Sequence, residues 1–233
     1  MGKRIVVRAR GAGGPRYRSP SHRFAGEIKY PRTGMATVVD IVHDIGRDAP
    51  IAKLQSDDGR EHLVIAAEGL AVGDQIDVGN PNATAKTGSI MPLSAMPKGS
   101  YIFAIENLPG GGPKLCCASG TRAFVVAHEK DRVIVQMPSK EFKNFNPNCL
   151  ATVGIPAGGG RTDKPYVKAG QMYFATLARG KLWPRSSGSK MNPVDHPFGG
   201  RTKPGWPKSV SRWAPPGAKV GSLASRRTGR RKK

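Results

Sequence analysis

Residues 50–67 read PIAKLQSDDGREHLVIAA. Two apolar runs, PIAKLQ and EHLVIAA, flank Asp57-Asp58-Gly59, and an Asp-Gly turn between such runs is a strong short-range signal for a β-hairpin. Upstream stands MATVVDIVHDI (35–45), and downstream DQIDVG (74–79). Five further short runs follow: YIFAIEN (101–107), KLCCAS (114–119), AFVVAHE (123–129), RVIVQMP (132–138) and CLATVGI (149–155). Short strands at regular spacing, without a long amphipathic helix, predict an all-β chain built of small barrels. A core of about 50–70 residues is only marginally stable alone. Two barrels packed together and held by a partner are therefore expected.

Charge divides the chain more sharply than hydropathy does. The 233 residues carry 38 Lys+Arg against 16 Asp+Glu, a formal net charge of +22. Residues 1–34 hold nine basic residues and one acidic, and residues 171–233 hold fifteen and one. Residues 35–80 are net acidic, with three basic and nine acidic, and residues 81–170 are net basic, with eleven and five. The two middle segments cancel, so the arms supply the whole excess. The expected organisation is a basic extension (1–34), a first barrel (35–80), a second barrel with a Gly-rich loop (81–170), and a basic Gly/Pro-rich extension (171–233). An excess of this size calls for a polyanionic partner. The arms bury too little apolar surface to offset their ordering entropy, so RNA phosphates are expected to order them.

Other classes are disfavoured. No apolar run approaches the roughly 18–20 residues of a spanning helix, so a membrane partner is not expected. The start MGKRIVVRARGAGG lacks the apolar stretch and cleavage site of a signal peptide, and the Ser or Thr of a myristoylation signal. The cysteines are the pair Cys116–Cys117 and Cys149. Zinc sites need ligands spaced as in C-x₂-C, and neighbours on a strand point to opposite faces. Buried, reduced thiols in a cytosolic protein are expected, with no metal held by protein ligands alone and no cofactor. The loop GIPAGGGRTDKP (154–165) fails the G-x₄-G-K-[ST] spacing of a phosphate loop, and no helix is expected after it. Its glycines read as bringing backbone close to a bulky partner.

The arms carry the candidate RNA contacts. In KRIVVRARGAGGPRYRSPSHRF (3–24), Arg8, Arg10, Arg16, Arg18, His22 and Arg23 combine with Tyr17. Guanidinium groups suit phosphates and base edges, and rings suit stacking on unpaired bases. Arg161, Lys164 and Lys168 extend this set from the glycine loop. Arg179, Lys181, Arg185, Lys190 and Arg201 continue it along the tail. Beyond them stand Lys203, Lys208 and Arg212, with Trp183, Trp206 and Trp213 interleaved. The end SRRTGRRKK (225–233) adds Arg226, Arg227, Arg230 and Arg231 as a polyanion-binding run. His43 and His62 read as barrel-surface residues.

The tail also holds MNPVDHPFGG (191–200). Asp195 beside His196 suggests a catalytic dyad, but His196 precedes Pro197, which favours extended backbone. Successive side chains of an extended chain point apart, so Asp195 cannot orient its neighbour's imidazole as in a triad. RNA contact by Asn192, Asp195 and His196 is the better reading. Asp195 is the only acid after residue 170, which suggests accepting from a guanine edge, holding an Arg, or ligating hydrated Mg²⁺.

At N-P-V-D-H-P and its following glycines the chain resembles the universal large-subunit ribosomal protein L-two family. Similar blocks run in order through most of the chain: RGAGG (10–14), IAAEGLAVGDQIDVG (65–79), MPLSAMPKGSYIFAIEN (91–107), CLATVGIPAGGGRTDKPYVKAG (149–170) and APPGAKVGSLASRRTGR (214–230). Phe198, where bacterial members carry His, makes it look archaeal-type. SSGSKMNP replaces the family's common V-R-G-V-A-M-N, and GGRTKPGW shortens its glycine run. The resemblance implies an oligonucleotide-binding-type barrel followed by an SH3-like barrel. It further implies binding to large-subunit ribosomal RNA on cytoplasmic ribosomes, neighbouring ribosomal proteins, and contact with the small subunit. Its tail loop would approach the peptidyl transferase region and support tRNA binding. Asp195 and His196 occupy positions to which direct assistance in peptide-bond formation has been attributed, the main alternative to a structural role. A nonspecific architectural protein for DNA is a third reading.

Overall fold

The computed structural model describes residues 2–31, 33–201 and 208–226. The hairpin at Asp57–Gly59 forms, with Gly59 at φ 73° and its N–H donating to Ser56 O at 2.8 Å. It lies within β1 (Gly34–Val42), β2 (Ile51–Ser56), β3 (Glu61–Ile65) and β4 (Gln75–Val78). β2 pairs antiparallel with β1 and β3, and β1 with β4.

The second set comprises β5 (Ile90–Pro92), β6 (Tyr101–Phe103), β7 (Ile105–Glu106), β8 (Pro113–Leu115), β9 (Ala123–His128), β10 (Val133–Gln136), β11 (Phe142–Phe145) and β12 (Leu150–Val153). One ten-stranded sheet runs β11-β10-β9-β6-β12-β5-β4-β1-β2-β3, and β7 and β8 pair beside it. The two sets join in the sheet through a parallel pairing, Val78 with Ile90, and also share a small apolar cluster in which Ile65 and Ala67 pack with Phe103 and Ala104. Each set contains a bulge at an exposed valine, Val39 in β1 and Val126 in β9. Extra residues of this kind bend a strand and increase its twist, as a small barrel requires.

Alternation along β5 assigns the cores. Ile90 packs with Val38, Leu54, Val64 and Val78, whereas Met91 packs with Ile102, Val125, Val135 and Phe145. Successive strand residues face opposite ways, so one short strand serves two modules. The chain is all-β, as expected. Strand detail differs from the sequence reading: YIFAIEN is split into β6 and β7 at Ala104, φ 52°, and KLCCAS contributes only its start to β8.

The cysteine expectation needs correction. Cys149 is buried, but Cys116 and Cys117 are half-buried and lie beyond β8, with Cys116 at φ 54°. All three are free thiols, and burial pushes Cys116 up to about 11.

Glu106 is a buried carboxylate that the apolar pattern concealed. It accepts from Gly112 N at 2.9 Å, Leu150 N at 3.0 Å and Gly110 N at 3.2 Å, tying the 107–112 loop to β12. A buried charge is tolerable when its lone pairs are taken by donors in this way.

Contacts between Cα atoms group residues 21–165 into one unit and residues 1–20 with 166–233 into another. The second unit, in its described residues, contains α1 (Val6–Gly11), α2 (Ala169–Ala178), and β13 (Ser209–Val210) paired in parallel with β14 (Ser222–Leu223). A helix therefore does follow the glycine loop, seven residues after Thr162, contrary to the sequence reading. α2 was missed because it buries none of its residues and leaves Phe174 68% exposed, so it has no apolar stripe.

Candidate nucleic-acid interface

Among its described residues, the unit formed by residues 1–20 and 166–226 has no hydrophobic core. Its only buried described residues are Gly180 and Gly199. Backbone close approach replaces side-chain packing. A Cβ on Gly180 would lie 2.9 Å from backbone atoms of Tyr17, Arg18 and Ser19, and one on Gly199 would lie 2.3 Å from Asn192 O. Ser19 Oγ donates to Arg179 O at 3.2 Å. The two basic arms thus meet each other, which charge counting alone gives no reason to expect.

Residues 191–200 form a closed loop. Asp195 N and His196 N both donate to Asn192 O, at 3.0 and 3.2 Å, and Gly200 N donates to Met191 O at 3.1 Å. Asp195 and His196 then take different partners. The Asp195 carboxylate lies 3.8 Å from Lys3 Nζ, an exposed pair of little energetic weight. Phe198 N donates to His196 Nδ1 at 3.0 Å, and the two rings stand 5.1 Å apart. With Nδ1 accepting, the neutral imidazole carries its proton on Nε2. Burial holds the His196 pKa below its usual range. No acid–imidazole dyad forms, although the reason differs from the extended-chain argument: residues 193–195 are a turn closed on Asn192 O, and the two side chains take separate partners.

Lys3 N also donates to Val194 O at 2.8 Å, clipping the N-terminal segment to the loop. Between them opens a cavity of about 430 Å³ lined by Lys3, Arg4, Arg8, His196 and neighbouring prolines and glycines. Three cations and an imidazole lining a common space suit an anion. Sequence reading passed over Lys3 and Arg4, although their place in a basic run was visible.

The other anticipated residues are distributed as follows. Arg8 and Arg10 lie exposed on α1, and Arg16, Arg18, Lys168, Lys181, Arg185, Lys190, Asn192, Arg201, Lys208, Arg212 and Arg226 are exposed in the same unit. Trp183 is half-buried in a shallow groove with Arg16, Tyr17, Tyr173 and Lys181. Trp213 is 88% exposed. Lys203, Trp206, Arg227, Arg230 and Arg231 lie outside the described residues.

His22 and Arg23 belong to the other unit, in a single 3-10 turn, and so do Arg161 and Lys164. Arg161 is engaged by its own chain, Nε donating to Ser119 Oγ at 3.2 Å and Nη2 standing 3.3 Å from Asp48 Oδ2. The glycine run likewise approaches its own chain: a Cβ on Gly120 would stand 2.7 Å from Gly159 Cα. Internal backbone packing is thus one reason for glycine there. Of the remaining histidines, His43 is exposed and His62 half-buried on β3.

Among the described residues no group of three or more His, Cys, Asp or Glu could hold a metal ion, and no helix is long and apolar enough to cross a membrane.

Two small β-modules with their own cores, joined to a coreless, strongly basic unit, define a nucleic-acid-binding scaffold protein. Residues 2–78 match the family described as Ribosomal Proteins L2, RNA binding N-terminal domain, and residues 86–219 match Ribosomal Proteins L2, C-terminal domain. The chain is 48% identical over 242 residues to a large ribosomal subunit protein uL2 of Methanothermobacter thermautotrophicus, and equally so to that of Methanosphaera stadtmanae, with the whole of each chain covered. It is 47% identical to that of Methanococcus vannielii over 99% of this chain and the whole of the relative. The chain belongs to the L2 family of ribosomal proteins. It is accordingly a structural ribosomal protein with an RNA-binding domain, not an enzyme.

Proposed function

We propose that this chain is built into the large ribosomal subunit in the cytoplasm, and that its coreless basic unit threads among the phosphates of large-subunit RNA. The observation that carries this reading is the meeting of the two arms around the cavity of Lys3, Arg4, Arg8 and His196. Three cations lining one cavity, with Asp195 beside Lys3, favour a polyanion, and phosphate contact releases the counterions they would otherwise recruit. The relatives' names, each a large ribosomal subunit protein, support the placement.

The finer roles rest on the motif resemblance. The 191–200 loop would face the peptidyl transferase region, with support of tRNA binding and of subunit association through neighbouring proteins and the small subunit. His196 serves there as an Nε2–H donor to RNA, a positioning contact and not a proton shuttle. A hydrated Mg²⁺ beside Asp195, bridging to phosphate through its water shell, belongs to the same proposal.

The test is salt-titrated binding of the full chain to its large-subunit RNA and to duplex DNA of matched length. A steep loss of affinity with salt and a preference of about 4 kcal/mol or more for the RNA are expected. Equal binding to both would make the protein a nonspecific polyanion binder. A flat salt dependence would point to a protein partner.

A further inference from the structure

The second β-module carries an outward aromatic row that the basic arms do not explain. Tyr101 on β6 is registered opposite Phe124 on β9, Phe124 opposite Gln136 on β10, and Gln136 opposite Phe142 on β11. Residues directly opposite on neighbouring strands share a face, so the row crosses four strands. The neighbouring register pair, Ile102 with Ala123, is buried in the core. Tyr101 is 43% exposed and Phe142 64% exposed, with Phe124 half-buried between. Tyr101 and Phe124 stand 5.8 Å apart at 57°, and the Arg122 guanidinium lies 4.5 Å from the Tyr101 ring centre.

The row borders an open cavity of about 640 Å³ whose lining includes Tyr101, Arg122, Phe124, Gln136, Met137 and Lys140. Its two charged lining residues are both cations, and none is acidic. Glu141 precedes Phe142 in the chain but does not line the cavity.

We propose that this face is a second RNA contact, a stacking platform for unpaired nucleotides of single-stranded RNA. Tyr101 and Phe124, on adjacent strands, and Phe142, beyond Gln136, offer ring faces to unpaired bases in a way indifferent to sequence. Gln136 presents an amide to a base edge, and Arg122 and Lys140 meet the backbone phosphates. A protein partner seeking an aromatic groove would be served by the rings, but an acidic rim for a basic peptide is absent here, and the cations favour a polyanion. The inference rests on the RNA-binding reading, yet it assigns bases to the sheet face where the arms take phosphates.

The experiment compares full-length chain and Y101A for binding a short single-stranded RNA and an A-form RNA duplex of equal charge. Y101A is expected to weaken the single strand about 5- to 100-fold, the effect of losing one stacking ring. The duplex, which offers no unpaired base, is expected to change by no more than about twofold, because its phosphate contacts are untouched. Y101F, which keeps the ring, is expected to restore single-strand binding. Thermal melting of each variant separates loss of the contact from loss of the fold, and F142A supplies an exposed second site if Y101A melts early. Unchanged single-strand affinity in Y101A and F142A, with duplex binding intact, would overturn the platform and leave the RNA reading standing. Failure of the unaltered chain to bind either RNA would remove both. If the variants lose only a proline-rich peptide probe, the face belongs to a protein and the RNA assignment is overturned.

Discussion

His196 shows how little of a motif's chemistry is written in residue identity. The neighbouring acid suggests activation, but the fold gives the imidazole a backbone donor at Nδ1 and a partly enclosed setting beside Gly188, whose added Cβ would lie 2.4 Å from the ring. Protonation would place a second N–H against the Phe198 N–H. The imidazole pKa is lowered by burial, so between its folded and unfolded values the unfolded chain binds more protons, and stability rises with pH there. The contribution is complete above the ordinary value of 6.5 and is lost as pH falls through the folded value. NMR titration of the His196 ring is expected to give a midpoint below 6.5, with the Phe198 amide shifting in step. A midpoint at or above 6.5 would contradict the partly enclosed setting of the ring. Glu106 is the complementary case: an acid amid an apolar run whose three backbone donors are supplied by residues up to 44 positions away.

At the scale of elements, α2 was legible at its end and not along its length. Gly180 at φ 61° follows Arg179, with Lys181 N donating to Thr176 O at 2.9 Å and Gly180 N to Leu177 O at 3.0 Å. These two bonds make a Schellman closure, whose glycine is visible in the run LARGK. The helix body gave no periodic signal because nothing covers it. Gly180 also admits the backbone of residues 17–19, so Gly180→Ala meets both left-handed strain and a backbone clash. The expected cost is about 1–2 kcal/mol from the backbone conformation alone. Hydrogen exchange is expected to speed up across residues 166–182 while β1–β12 keep their protection; uniform protection throughout would show the approach to be dispensable. The strands were better signalled, because period-two burial and Gly-bearing turns are local properties, and the Asp57–Gly59 hairpin needed nothing beyond its own residues.

For the whole molecule, the division of labour between scaffold and basic unit bears on binding. Removal of residues 171–233 takes away fifteen basic residues and one acidic. It is expected to weaken affinity for large-subunit RNA at physiological salt by far more than any single substitution in β1–β12, and to flatten the salt dependence, since each lost phosphate contact removes about 0.7–0.9 from the slope. Undiminished affinity in the truncated chain would place the interface on the β-modules. The sequence by itself determined the all-β class and the concentration of charge in the arms, because alternation, turn residues and net charge act over a few neighbours or by simple addition. Only the tertiary structure decided that the arms meet one another, that Arg161 and the glycine loop are partly occupied by their own chain, and that Tyr101, Phe124 and Phe142 form one row. Those facts depend on which distant backbones can approach at glycine and which strands pair in which register. Neither is encoded in any short window of the chain.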